Sequence, residues 1–150
     1  MSTRVLSLAL VLSATLPAHT GCLATPTIDV VYNSAPLVFR ARVLQITPVP
    51  PPPPPPGLGS SGTDAPPMDH LRLQVLEVFK GDPGTEITVL GGDPLFGKGG
   101  EFLVFVSPYQ QQLVVNACSR TGLVASPRAV ADLAWLRARL AAPSASAPSR

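Results

Sequence analysis

The chain has 150 residues and a formal net charge of +2, with only 13% charged and 45% apolar side chains. That length allows one domain. So weak a charge, with no Lys/Arg cluster forming a stripe, argues against nucleic acid as a partner.

The N-terminus reads as a secretory targeting segment covering residues 1–21. Arg4 is a short positive region, Val5 to Leu16 is an apolar run, and Pro17-Ala18 breaks it. The run has the length of a signal-peptide core and is too short to span a bilayer. Two cleavage positions are open. Ala18 suits ordinary signal peptidase, whereas Gly21-Cys22 resembles the end of a bacterial lipobox, with His19 where that motif usually has Leu. The expected location is extracytoplasmic, in a bacterial cell envelope, either lipid-anchored through Cys22 or periplasmic or secreted. The anchor is the only membrane attachment expected.

Five strand signals follow. Leu37 to Ile46 places Phe39, Ala41 and Val43 on one face and Arg40 and Arg42 on the other. Composition changes at Thr47, and ten of the 19 prolines lie between Pro48 and Pro67, seven of them in the run Pro50 to Pro56. Consecutive prolines fix φ and lack N–H donors, so the run reads as a polyproline II rod of roughly 20 Å. Residues 47–69 are thus expected to form a loop insertion outside the core. As a candidate partner-binding strip it would lay Pro50, Pro53 and Pro56 against aromatic side chains.

His70 to Phe79 alternates as Leu71, Leu73 and Val75, then slips phase to Leu76 and Val78, which predicts a β-bulge. Lys80 to Gly84 is a turn, and Glu86 to Leu90 a third strand. The glycine-rich stretch 91–100 is a loop. Glu101 to Val106 is apolar almost throughout, as a strand covered on both faces would be. Leu113 to Cys118 is a fifth strand. Ser126-Pro127 then caps a helix in which Val130, Leu133, Leu136 and Leu140 form the expected buried stripe. Residues 141–150 read as a disordered tail. The fold class is mainly β: a closed or nearly closed five-stranded barrel over residues 37–117, with a C-terminal helix at about 127–140 packed on it. Phe39, Val43, Leu73, Val75, Val89, Leu103 and Phe105 are its expected core.

No catalytic constellation emerges, so the chain is read as a non-enzyme without metal or cofactor. His70 beside Asp69 is the one histidine after the leader, too few for a two-histidine metal site or a triad, and reads as a solvated surface residue. The glycine-rich loops lack the P-loop order. Two cysteines remain, Cys22 and Cys118. Export permits a disulfide between them, closing a loop of about 96 residues. Cys22 cannot be both bridged and lipidated through its sulfur.

Several segments carry a family resemblance. Cys22 at the start of the exported chain is followed by Ala35-Pro36-Leu37-Val38-Phe39-Arg40-Ala41-Arg42-Val43 and Val75-Leu76-Glu77-Val78-Phe79-Lys80-Gly81. Gly100-Glu101-Phe102-Leu103-Val104-Phe105 and Asn116-Ala117-Cys118-Ser119-Arg120-Thr121 come next. In this order they resemble bacterial relatives of the tissue inhibitors of metalloproteinases, the netrin-like group, over about residues 22–140. The resemblance implies an OB-fold, a Greek-key barrel of five strands. It also implies a disulfide joining Cys22 to Cys118, because it sets the chain start beside the end of the fifth strand. In animal members the N-terminal Cys chelates the target's zinc through its amine and carbonyl, and the next side chain fills the specificity pocket. The matching positions are Cys22 and Leu23, and the matching partner is a metalloprotease. Segment 47–69 matches a loop that also touches the protease. The family's second early cysteine is absent, replaced by Ala24. Two roles follow for an exported chain of this kind: a non-enzymatic binding domain for another envelope protein, or a metalloprotease inhibitor.

Overall fold

The computed structural model describes residues 25–50, 68–92, 96–115 and 117–142. The expected leader, Cys22, Leu23, Pro53, Pro56 and the expected tail from residue 143 lie outside the described residues. In chain order the elements are α1 (Ile28–Ser34), β1 (Leu37–Pro48), β2 (Asp69–Lys80), β3 (Glu86–Gly91), β4 (Glu101–Tyr109), β5 (Gln112–Val115), a 3-10 turn (Ala117–Ser119), β6 (Gly122–Leu123) and α2 (Pro127–Ala141).

The strands close into a barrel in the order β1-β2-β3-β5-β4, with β4 returning to β1. All neighbours are antiparallel except β3 and β5, which run parallel. This is the OB-fold-like, mainly β architecture expected from the sequence. β6 adds a sixth strand, pairing with Phe102 and Leu103 on the edge of β4 that β5 leaves free.

Alternation along each strand divides the apolar residues between two cores. Phe39, Ala41 and Val43 point into the barrel with Leu71, Leu73, Val89 and Val104. Val38, Leu103 and Phe105 point outward and are covered by Val31 and Ala35 from the first helix and its end, and by Leu133 and Leu136 from α2. β4 is therefore buried on both faces, which is why it reads as a continuous apolar run. Of the seven expected core residues only Val75 is partly buried.

The phase slip in β2 is a bulge: Arg40 faces Glu77 and Ala41 faces Val75, so Leu76 is left over. Two further irregularities occur in the same hairpin, at Phe79 and at Leu44. Bulges sharpen the local twist, and a small barrel needs strongly bent strands to close. The β4–β5 hairpin turns through Gln110 and Gln111, both at positive φ (45° and 66°), between the paired Tyr109 and Gln112. Positive φ at both central positions matches the turn to the twist of the flanking strands.

Three expectations need correction. The fifth strand ends at Val115, and Cys118 belongs to the 3-10 turn. The buried stripe of α2 is Ala129, Asp132, Leu133 and Leu136, while Val130 and Leu140 are 55% and 56% exposed. The face is rotated because Asp132 turns inward to meet Arg120. The helix also runs through Ala141, one residue beyond the expected end. Finally, the insertion is shorter than 47–69. Thr47 and Pro48 pair with His70 and Asp69, and the Val49 amide donates to the Met68 carbonyl at 3.0 Å. Pro48 is tolerated because the pairing of β1 with β4 stops at Arg42, leaving the far edge of β1 open there.

That geometry sets the limits of a deletion. Replacing residues 51–67 with a short Gly-Ser turn is expected to leave the thermal midpoint within about 2 °C of the parent, since the cut leaves every pairing of the described residues in place and a shorter loop costs less closure entropy. Extending the cut to 47–69 removes paired residues and should lower the midpoint. Differential scanning calorimetry separates the two constructions.

Candidate functional site

The N-terminal segment is fastened to one side of the barrel by Ser119-Arg120-Thr121 and by Phe79-Lys80-Gly81. Arg120 sits at φ 64°, a left-handed conformation that is uncommon for a non-glycine residue. Its guanidinium is held bidentately by Asp132, with Nε to Oδ2 at 2.9 Å and Nη2 to Oδ1 at 2.5 Å. Its remaining nitrogen, Nη1, donates to the Pro26 carbonyl at 2.8 Å. Asp132 is 3% exposed. One planar cation thus ties together the incoming chain, the turn after β5 and helix α2, a fork geometry that lysine cannot supply.

Thr121 and Ser119 fill a gap in the sheet. Between its pairing with β5 and with β6, β4 has no backbone partner on that edge at Phe105 among the described residues. The Phe105 amide donates instead to Thr121 Oγ1 at 3.0 Å, and the Phe105 carbonyl accepts from Ser119 Oγ at 3.3 Å. Thr121→Val keeps the shape and removes the acceptor. It is expected to cost about 2 kcal/mol, the desolvation penalty of a buried amide left unpaired, measurable by urea denaturation.

The Phe79-Lys80-Gly81 segment grips α1. Phe79 is buried in the outer core, and its carbonyl accepts from the Tyr32 hydroxyl at 3.2 Å. Lys80 Nζ donates to the Tyr32 and Asn33 carbonyls at 2.7 and 3.1 Å, placing a cation at the C-terminal end of α1. Gly81 packs directly against the Pro36–Leu37 backbone.

Between α1 and the barrel lies an open pocket of about 260 Å3, with Pro26, Val30 and Val31 on one side and Ser107, Cys118 and Ser119 on the other. Cys118 is exposed on the 3-10 turn, and the described residues contain no free thiol. The segment entering the structure at Thr25-Pro26 and the Cys118 turn therefore meet at one place. Pro50 is exposed just past the end of β1.

His70 is exposed on β2, where it pairs with Leu90. Among the described residues no three His, Cys, Asp or Glu side chains stand close enough to hold a metal ion. No described helix is long and apolar enough to cross a membrane. Sequence reasoning missed α1, β6 and the Arg120–Asp132 pair; only the polar character of Asp132 on an otherwise apolar helix face hinted at the last.

On the outer face a charged ribbon crosses three strands and α2. Arg42 bonds Glu101 at 2.7 Å, Arg40 reaches Glu101 at 3.2 Å and Glu77 at 3.6 Å, and Arg137 bonds Glu77 bidentately at 2.9 and 2.7 Å. The Arg137 hydrogen bond holds the Glu77 carboxyl below its ordinary pKa of 4.5, and Arg42 does the same for Glu101. A carboxyl depressed in the folded state stabilises above its unfolded pKa, and that contribution is lost as pH falls through the folded value. Thermal stability should therefore decline as pH drops below about 4.5. The double variant Glu77→Gln/Glu101→Gln should show a shallower decline, and added salt should shrink the difference because these groups are solvent-accessible. Melting curves at stepped pH and two ionic strengths measure this.

No protein-family model and no curated protein sequence matches the chain.

Proposed function

We propose that the protein is an exported, non-enzymatic binding domain of the cell envelope whose binding edge is the N-terminal segment leading into Pro26. The observation that carries this reading is the Arg120 clamp. A buried carboxylate and a strained arginine are committed to fixing the backbone at Pro26, a position that contributes little to either core. Strain kept where packing does not need it is typical of functional segments. The leader composition supports export. The resemblance to tissue inhibitors of metalloproteinases supports a binding role.

A second reading, metalloprotease inhibition through Cys22 and Leu23, draws on the shared pocket. Cys22 precedes Pro26 by four residues, a reach of at most about 14 Å. Pro26 and Cys118 line the same pocket, so a Cys22–Cys118 bridge is within span. Such a bridge leaves the Cys22 amine free to chelate a target's zinc, whereas lipidation of Cys22 consumes its thiol and favours an anchored domain acting through its surface.

Intact-mass measurement of the exported protein, combined with thiol labelling under denaturing, non-reducing conditions, tests both readings. Lipid mass at the N-terminus with Cys118 labelled selects the anchored binding domain. An unlabelled protein beginning at Cys22 selects the bridged form, and a zinc protease inhibited by it but not by a form extended by one N-terminal Ala would establish inhibition. A protein retaining its leader inside the cell overturns export and with it both readings.

A further inference from the structure

A second surface lies on the other side of α1, where the helix meets α2 and the end of β2. Tyr32 and Trp135 pack edge to face with centroids 5.6 Å apart. The Arg139 guanidinium carbon lies 5.0 Å from the Tyr32 centroid and 5.2 Å from the Trp135 centroid. Lys80 Nζ lies 5.1 Å from the Tyr32 centroid. Both rings are half-buried and Arg139 is exposed.

Arg139 differs from most of the other described arginines. Among the described residues five of the seven arginines are within 4 Å of a carboxylate. Arg139 and Lys80 have none among those residues. Arg139 is instead held by two aromatic faces, which fixes the plane of its fork without using its N–H donors. Lys80 gives hydrogen bonds to the Tyr32 and Asn33 carbonyls and lies beside the same ring. The result is two cations against one Tyr–Trp base, neither with a carboxylate partner among the described residues; Tyr, Trp and Arg are the residue types that dominate binding energy at protein interfaces.

We propose that Arg139, Lys80, Tyr32 and Trp135 form a docking site for an acidic peptide segment of a partner protein, with a carboxylate on the Arg139 fork and its neighbouring apolar atoms against Trp135. The site is separate from the N-terminal edge and does not depend on how Cys22 is processed. Charge complementarity and the planar match between guanidinium and carboxylate favour a peptide over a lipid surface.

Trp135 is the only tryptophan in the chain, so its fluorescence reports on this site alone. The exported protein is titrated with an end-capped hexaglutamate peptide, with hexalysine as control, and separately with phosphatidylglycerol vesicles. The expected result is a saturable change in Trp135 emission with hexaglutamate only, weakened about tenfold or more in Arg139→Gln. Arg139→Lys should also lose most of the response, because it keeps the charge but not the fork, while Arg128→Gln on the same helix should not. Circular dichroism verifies that each variant is folded. Equal titrations for wild type and Arg139→Gln, an equal loss in Arg128→Gln, or a response to vesicles without one to hexaglutamate would each overturn the proposal.

Discussion

Asp132→Ala is expected to destabilise the domain by about 3 kcal/mol, at the lower end of the cost of removing one partner from a buried ion pair. Asp132 is 3% exposed, and the Arg120 side chain is 15% exposed. Removing the carboxylate leaves the guanidinium with the Pro26 carbonyl as its one remaining partner and takes away the contact that holds Arg120 at φ 64°. Strain previously offset by two charge-assisted hydrogen bonds then goes uncompensated. Replacing both partners, as Arg120→Met/Asp132→Leu, should cost less than Asp132→Ala alone, because no orphaned charge remains. Urea denaturation of the two variants measures the difference. Hydrogen exchange should show the segment around Pro26 opening before the barrel does in Asp132→Ala. A loss below 1 kcal/mol with unchanged exchange near Pro26 would refute the clamp.

The barrel was legible in the sequence because β1 and the first half of β2 alternate and their inner residues are large. Phe39, Ala41 and Val43 share a face whatever the partner strand, since side chains repeat every two residues. The bulge at Leu76 was visible for the same reason: one extra residue shifts every later side chain to the opposite face. Features fixed by long-range contact were not visible. Seven residues of α1, with Val30, Val31 and no side-chain cap, carry no helix signal of their own; packing of Val31 and Tyr32 on the sheet supplies the stability. β6 is two residues long and exists only because β4 exposes an unpaired edge. The face of α2 departs from the apolar count, which takes Val130 and Leu140 as core, because Asp132 turns inward. Hydropathy assigns a carboxylate outward, and only the position of Arg120 reverses that. Of the candidate site, the sequence offered Cys118 and the segments around it. The meeting of Pro26 with that turn is a product of the fold.

Gly81→Ala is expected to cost about 3 kcal/mol, although the substitution adds a single methyl group. Gly81 has φ 75°, and a Cβ placed there would lie 2.5 Å from Leu37 Cδ2 and 2.6 Å from the Pro36 carbonyl oxygen. The left-handed conformation alone costs an alanine about 1 kcal/mol. The side-chain contact can relax by a rotation of Leu37. The contact with the Pro36 oxygen cannot, because it is backbone, and overpacking of this kind typically adds about 1–3 kcal/mol. Gly84 is the internal control: its φ is 71°, yet the nearest atom to an added Cβ is the Glu86 carbonyl oxygen at 3.9 Å. Gly84→Ala should therefore show the conformational cost alone, about 1 kcal/mol. The difference between the two variants isolates the close approach of the turn after β2 to the chain leaving α1. Displacing Pro36 should also disturb the hold of Lys80 on the Tyr32 and Asn33 carbonyls, so Gly81→Ala, unlike Gly84→Ala, should alter Trp135 fluorescence in the folded protein through the Tyr32 contact. Equal losses for the two glycines would mean that the turn is free to move away from Pro36, and that the Phe79-Lys80-Gly81 segment does not set the position of α1.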